Sequence, residues 1–200
     1  MIKELVQKSR SYRGYDSSRR LTREELLDLV DCARFAPSSV NRQPFRYLLA
    51  WEPEQVDKIQ PLTGWARALP GKKLPYPGQE PAAYVVICQE TLWDPDLTRY
   101  LRDVGIAAQT MLLAATEAGL GGIMIGNFNP GRIARALALP AHLVPMLLVA
   151  LGKPAETIVL TELEPGGSTD YYRDEQDVHY VPKRKLEDII LLPSKTGEIR

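Results

Sequence analysis

Residues 97–129, LTRYLRDVGIAAQTMLLAATEAGLGGIMIGNFN, set the frame for the rest of the chain. At helical spacing Leu101, Val104, Ala107, Ala108, Met111, Leu112, Ala115 and Ala118 share one apolar face covering about half the circumference, wider than the stripe a surface helix needs. The opposite side carries Ile106 and Leu113 among Arg102, Gln109, Thr110 and Glu117, so this helix is expected to have neighbours on several sides, with alanines letting them come close. Gly119 offers the left-handed residue that ends a helix. Beyond it, Gly121-Gly122-Ile123-Met124-Ile125-Gly126-Asn127-Phe128 reads as a short buried strand opened and closed by glycine, which permits close approach to another element or to a flat ligand. A dinucleotide-binding fingerprint follows a strand and opens a helix. Here the glycines follow a helix and open a strand, which excludes that reading.

Around this stretch the composition is that of a folded unit. The 200 residues suit one compact domain over 1–200, or one protomer of a small oligomer, and 44% apolar residues supply a core. Lys plus Arg and Asp plus Glu each number 25, so no net field recommends nucleic acid or an anionic membrane as partner, and any basic site is local. Cys32 lies in a helical pattern and Cys88 in a strand pattern, too few for a disulfide framework, and the expected location is a reducing cytoplasm. The N-terminal MIKELVQKSRSYRGY contains no apolar run and does not read as a secretory signal. The longest apolar run, 143–151, contains Pro145 and is too short to span a bilayer.

Residues 2–8 are expected to form a short amphipathic helix. The basic segment Ser9-Arg10-Ser11-Tyr12-Arg13-Gly14-Tyr15 after it is too short to fold alone and so reads as a contact segment. Thr22 and Glu25 form a capping box for a helix over 23–35. Proline at 37 and 44, with Ser38, Ser39, Asn41 and Gln43 between, breaks that helix into a loop. Residues 45–51 alternate as a strand, and Pro53 opens a short helix to 60. Residues 61–81, rich in Pro and Gly and carrying Trp65 and Tyr76, read as an irregular excursion over a site. Residues 82–88 are a strand buried on both faces. Asn129 as N-cap and Pro130 at the first helical position start a helix over 131–139, and 145–151 is the next strand. Residues 156–180 are acidic and weakly patterned, a tail expected to wrap around the body or a second subunit. Lys183, Arg184 and Lys185 then precede a terminal apolar turn at 189–192. Without βαβ repetition, the fold class is α+β: a mostly antiparallel central sheet flanked by helices, with a long central helix and a C-terminal extension.

Three polar clusters stand far apart: Arg10, Ser11 and Arg13; Ser38, Ser39, Asn41 and Gln43; and Lys183, Arg184 and Lys185. Taken singly they read as a solvated face, an ordinary loop and a surface patch. Taken together they suit a phosphate and a polyol, with arginine as bidentate donor, lysine as point charge, and hydroxyls and amides for ribose-like oxygens. His142 and His179 are the only histidines, no Cys, His or carboxylate cluster shows ligand spacing, and no metal site is expected. Neither a Gly-x-Ser-x-Gly elbow nor a Gly-Lys-Ser/Thr phosphate loop is present. An enzyme of this composition would rely on a cofactor for its chemistry.

The order of these clusters resembles the nitroreductase family of FMN-dependent oxidoreductases over nearly the whole chain. Ser9-Arg10-Ser11-Tyr12-Arg13 is similar to the family's N-terminal Arg-Arg-Ser-x-Arg segment, with Ser9 where the family often carries a further arginine. Ala36-Pro37-Ser38-Ser39-Val40-Asn41-Arg42-Gln43-Pro44-Phe45 is similar to its Ala-Pro-Ser-x-x-Asn-x-Gln-Pro-aromatic loop, Asp103 to Gln109 and on to Gly121 to its central helix, and Val181-Pro182-Lys183-Arg184 to its C-terminal basic pair. The resemblance implies a homodimer with FMN at the subunit interface and a C-terminal extension wrapping the partner. Arg10, Ser11 and Arg13 would hold phosphate, ribityl and pyrimidine edge, and Lys183 and Arg184 would complete the phosphate clamp. Pro37, Ser38 and Ser39 would reach the flavin from the other subunit, with Asn41 ordering their loop. Backbone at Gly126 and Asn127 would lie near flavin N5, and Gly121 and Gly122 would make room for the ring.

On that resemblance no side chain is expected to act as catalytic acid or base. A cation such as Arg13 at the N1–O2 edge favours reduced flavin, and NADH or NADPH would donate hydride in a ping-pong cycle ending on an electron-poor small molecule such as a nitroaromatic or quinone. Trp65, Tyr76 and Phe128 either line the acceptor pocket or are packing aromatics. Two competing readings are a flavin-binding relative with another role, such as flavin breakdown, reductive dehalogenation or sensing, and an interaction protein using the basic clusters as surface.

Overall fold

Apolar residues repeating at two periods, 3.6 and 2, fold into helices laid against sheets in the computed structural model, which describes residues 1–69 and 71–192. By its contacts the chain groups into two compact units, a larger one of residues 1–67 with 72–155 and a smaller one from 156 onward with 68–71. In the larger unit the order is α1 (Ile2–Lys8), α2 (Arg23–Arg34), a 3-10 turn (Ser39–Asn41), β1 (Phe45–Ala50), α3 (Pro53–Ile59), a second 3-10 turn (Gln60–Leu62), β2 (Ala83–Glu90), α4 (Leu101–Glu117), β3 (Gly121–Ile125), α5 (Pro130–Ala136) and β4 (Leu143–Gly152).

The four strands form one antiparallel sheet in the order β1-β2-β4-β3. Central β2 is buried from Ala83 to Gln89, and its alternate side chains feed two cores. Val85 and Ile87 pack with Leu26 and Leu29 of α2 and Ala107, Ala108 and Met111 of α4. Tyr84, Val86 and Cys88 pack with Val56 and Ile59 of α3 and Ile133 of α5. Each such Val or Ile contributes about 1.5–3 kcal/mol relative to exposure, so the sheet is held mainly by this two-sided burial. Pro145 is accommodated within β4, at a bulge opposite Ile87 and Cys88 where one ladder donor is dispensable.

Helix α4 buries Val104, Ala107, Ala108, Met111, Leu112 and Ala115, as its periodicity predicts. Its ends depart from that pattern. Leu101 is 55% exposed, and Ala118, the C-cap, is exposed, because both lie beyond the stretch covered by α2 and the sheet. Gly119 follows with φ +75, the left-handed stop expected there. Asn129 caps α5 by accepting from Arg132 N–H at 3.0 Å, but the helix stops at Ala136 rather than 139, since Ala138 turns left-handed at φ 50.

The smaller unit corrects the reading of 156–180 as a weakly patterned tail. It holds β5 (Ile158–Glu162), β6 (Tyr172–Arg173) and β7 (His179–Lys183), in the order β5-β7-β6, with β5 parallel and β6 antiparallel to β7. Its interior is ionic. Arg173 and Glu156 form an ion pair with side chains only 3% and 5% exposed, Arg173 also meets Asp177 at 2.6 Å, and His179 Nδ1 lies 4.0 Å from Glu156. β6 (YR) and β7 (HYVPK) mix charged and polar residues with apolar ones, which weakens their hydropathy signal, whereas β5 is IVLTE. At the C-terminal end, the apolar run 189–192 is exposed.

Candidate functional site

The N-terminal basic segment becomes part of the larger sheet's edge. Ser11 forms a parallel bridge with Gly122 of β3, and Tyr12 N–H donates to Gly122 O at 3.2 Å. This brings Arg10, Ser11 and Arg13 beside Gly121 and Gly122. A Cβ at Gly121 would collide with the Tyr12 ring and Pro154, and one at Gly122 with Ala150 O and Leu112. The room these two glycines make is therefore filled by this chain's own atoms, and their use is to let Tyr12 and β4 close in.

Arg13 is 7% exposed and donates through Nη1 to Ser11 O at 2.9 Å, which folds the cation back along its own segment. Arg10 donates through Nη2 to Val6 O at 2.7 Å, while its buried Nε has no hydrogen-bond partner. Burial pushes the Arg10 guanidinium below its ordinary value, partly countered by Tyr12, and among the described residues no carboxylate forms an ion pair with it. A half-buried cation with an orphaned donor and no acid suits an anion.

The second cluster is built on the break after α2. Val40, Asn41 and Gln43 take φ of 47, 52 and 51, a cramped course that side-chain bonds hold. Asp103, on the first turn of α4, accepts from Ser39 N–H at 2.7 Å and from Ser38 Oγ–H at 3.1 Å. Gln43 N–H donates to Ser38 Oγ at 3.0 Å, and the Gln43 amide donates to Asn41 Oδ1 at 3.1 Å, so Asn41 takes part in ordering the loop. Beside it lies a cavity of about 140 Å³, lined by Ala33, Pro37, Ser38, Gln43, Phe45, Tyr47, Asp103 and Ala107. A dry cavity of about 150 Å³ holds one benzene ring, so this space fits a ring edge rather than a whole flavin. Burial there pushes the Tyr47 phenol up.

The excursion does fold back over the segment after β3. Thr63 bridges to Phe128, Gly64 N–H donates to Asn127 O at 2.8 Å, and a side chain at Gly64 would collide with that of Asn127. Trp65 and Phe128 pack against the core on the α3–α5 side of the sheet, in line with the packing reading of these aromatics. Gly126 and Asn127 are exposed, and a Cβ at Gly126 would meet nothing within 4 Å. Nothing in this chain's own packing requires glycine there.

One protomer does not unite the first two clusters. Ser38 is tied to the N-terminal turn of α4, whereas Ser11 bridges the strand that follows its C-terminal end. Gly122 lies against Leu112, nine residues beyond Asp103, so the two clusters are separated by about 14 Å along α4 at 1.5 Å per residue. Lys183 and Arg184 belong to the smaller unit and are exposed at the end of β7. Among the described residues no group of His, Cys, Asp and Glu is placed to hold a metal ion, and no helix is long and apolar enough to cross a membrane.

Sequence reasoning missed three participants. Asp103 left a signal, an acid on the same helical face as Ala107 and Met111. Tyr12 and Gly64 left none, because each matters only through a residue about a hundred or fewer positions away that the fold brings against it.

Comparison with known proteins shows the family. Residues 6–153 match the profile of the Nitroreductase family. A protein of Methanothermobacter thermautotrophicus, named for an NADH dehydrogenase or NAD(P)H nitroreductase, is 29% identical over 160 residues, covering 78% of each chain. An FMN reductase [NAD(P)H] of Bacillus subtilis is 28% identical over 176 residues, covering 78% of this chain and 66% of the relative. The crystal structure of a nitroreductase family protein from Clostridium difficile 630 superposes with a TM-score of 0.61 at 27% identity, covering 76% of this chain and 84% of that one.

Proposed function

The chain belongs to the Nitroreductase family, and on that footing we propose that it is an NAD(P)H-dependent flavin oxidoreductase that binds FMN and reduces an electron-poor small molecule, a nitroaromatic or quinone. The observation that carries the flavin reading is Arg10, half-buried beside the edge of β3 with its buried Nε unspent and no ion-paired acid among the described residues. An anionic phosphate is the group such a cation would hold.

FMN, when bound, would supply the redox chemistry that links NADH or NADPH to the acceptor, in the proposed ping-pong order. The chain's own part is to bind and bias. Arg10 and Ser11 would hold the phosphate and ribityl end, and Arg13 would set a cation at the edge where reduced flavin is negative, which favours reduction. Gly126 and Asn127 would present backbone toward N5, the open side of Gly126 leaving a flat ring free to approach. Gly121 and Gly122 act one step back, by letting Tyr12 lay the basic segment in place. Lys183 and Arg184 are carried as further phosphate ligands by the resemblance alone.

Ser38 is held by Asp103, and Gly122, which pairs with Ser11, lies against Leu112, nine residues or about 14 Å further along α4, so we take the two clusters that touch one flavin from two chains. The proposed assembly is therefore a homodimer. Ile106, 39% exposed on the far side of α4, supplies apolar surface for it, and the C-terminal segment is proposed to wrap the partner. Free Cys32 and Cys88 support a cytoplasmic location.

The visible spectrum of the purified protein, before and after anaerobic NADH or NADPH, tests the reading. A flavin band bleached by the nucleotide and restored by menadione is expected. No band after incubation with FMN overturns the proposal, and a band that neither nucleotide bleaches transfers the chain to the alternative of a flavin-binding relative with another role. Sedimentation of a monomer at micromolar concentration would refute the dimer.

A further inference from the structure

We propose that Asp103 is a positioning residue that turns the Ser38 hydroxyl into a pure acceptor, so that the ligand group meeting Ser38 is a hydrogen-bond donor, an N–H or O–H. The inference rests on the flavin reading above and adds to it a polarity for this end of the site. A serine hydroxyl has one proton and two lone pairs. The Asp103 carboxylate accepts at 3.1 Å, so the Ser38 proton points at Asp103. Gln43 N–H, which can only donate, occupies one lone pair at 3.0 Å. What Ser38 offers outward is the remaining lone pair.

The rest of the loop agrees. Ser39 N–H is spent on the same Asp103 oxygen at 2.7 Å, and the Gln43 amide donates to Asn41 at O and Oδ1. Asp103 is 7% exposed, lines the same cavity as Ser38, and forms no ion pair among the described residues. Arg34 and Arg46 line the same cavity but are paired with Asp31 and Glu90, so at Ser38 the Asp103 charge favours a donor over a phosphate or a carbonyl. The two clusters thus sort a bifunctional ligand: Arg10, which has no ion-paired acid among the described residues, takes its anionic end, and Ser38 takes a ring or polyol donor. Flavin carries such donors at N3–H and on the ribityl hydroxyls.

FMN binding by fluorescence quenching tests this on the full chain, with circular dichroism on every variant. Ser38→Ala is expected to weaken FMN binding about tenfold, the scale of one hydrogen bond, with its fold unchanged. Asp103→Ala frees the Ser38 proton to turn outward and is expected to weaken binding by at least about the same factor and to shift the visible band of bound FMN. Asp103→Asn, whose amide oxygen can still accept from both Ser38 and Ser39, should stay within about threefold of the parent. If Asp103→Ala binds FMN as well as the parent while Ser38→Ala does not, Ser38 is a donor and the inference is overturned. Should Asp103→Ala fail to fold, loss in Ser38→Ala with retention in Asp103→Asn supports the inference, and any other pattern overturns it. A parent chain that takes up no FMN is a different result: it overturns the flavin reading, and this inference falls with it.

Discussion

Strands β2 and β7 are each interior to their sheets, yet opposite forces hold them. Around β2 the packing is mainly apolar, from Leu26 and Met111 on one face to Ile59 and Ile133 on the other, with buried Gln89 near its end donating to Asp94 O and Asp96 O. Around β7 the buried groups are His179, Arg173 and Glu156, with Asp177 closing the set. The difference teaches that burial and hydropathy are separate properties. A buried ion pair contributes little net stability, because desolvation offsets its attraction, but removing one partner costs more than deleting a methyl group. The smaller sheet is therefore expected to be specific in its pairing and fragile to single substitutions, and the larger one tolerant and graded.

The largest effect should come from Arg173→Met, which leaves the Glu156 carboxylate buried without its cation and destabilises the smaller sheet by about 3–5 kcal/mol. Hydrogen exchange at the amides of Ile158–Glu162 and His179–Lys183 reads it, and adding Glu156→Leu should return part of the loss; unchanged exchange would mean that the ionic cluster does not hold these strands. Next, Ile87→Ala opens a cavity between β2 and α4 and should cost about 2–5 kcal/mol in denaturant unfolding of the larger unit. Ile87→Val should cost only about 0.5–1.5 kcal/mol, the graded response of an apolar core. A flat series would contradict that contrast.

Chemistry without a stability cost sharpens the same point. Burial pushes the Cys88 thiol up to about 12, whereas Cys32 is exposed. A thiol reagent at pH 8 should label one cysteine in the native protein and the second only after unfolding. The smallest effect concerns the seam between the N-terminal segment and the end of β4. The Ser18 hydroxyl, with Lys153 and Ser18 N–H, holds the Asp16 carboxyl at about 2, below its ordinary 3.8. A lowered folded value means stabilisation that is complete above about pH 4 and lost as pH falls toward 2. Asp16→Asn should flatten that limb of the acid-unfolding curve, and an unaltered curve would remove Asp16 from the seam.

Local chemistry made much of the larger unit readable. The Thr22–Glu25 capping box, the Asn129 cap before Pro130 and the left-handed Gly119 each depend on residues within four positions, so reading and structure agree there. The polar loop at 37–43 was found as a candidate site, but its partner Asp103, more than sixty residues away, was not assigned a role. Gly121 and Gly122 were rightly read as points of close approach, while what approaches them, Tyr12, Pro154 and β4, follows from strand pairing across the chain.

By itself the sequence determined the periodicities, and with them α4, the buried β2, the caps and the α+β class, because each is a relation between neighbours along the chain and the hydrophobic effect acts on it directly. Only the tertiary structure decided which distant polar groups meet: Ser11 on Gly122, Asp103 under Ser38, Arg173 against Glu156. Hydrogen bonds and ion pairs are short-ranged and directional, and their partners exist only once the apolar frame has brought separate segments within about 3 Å.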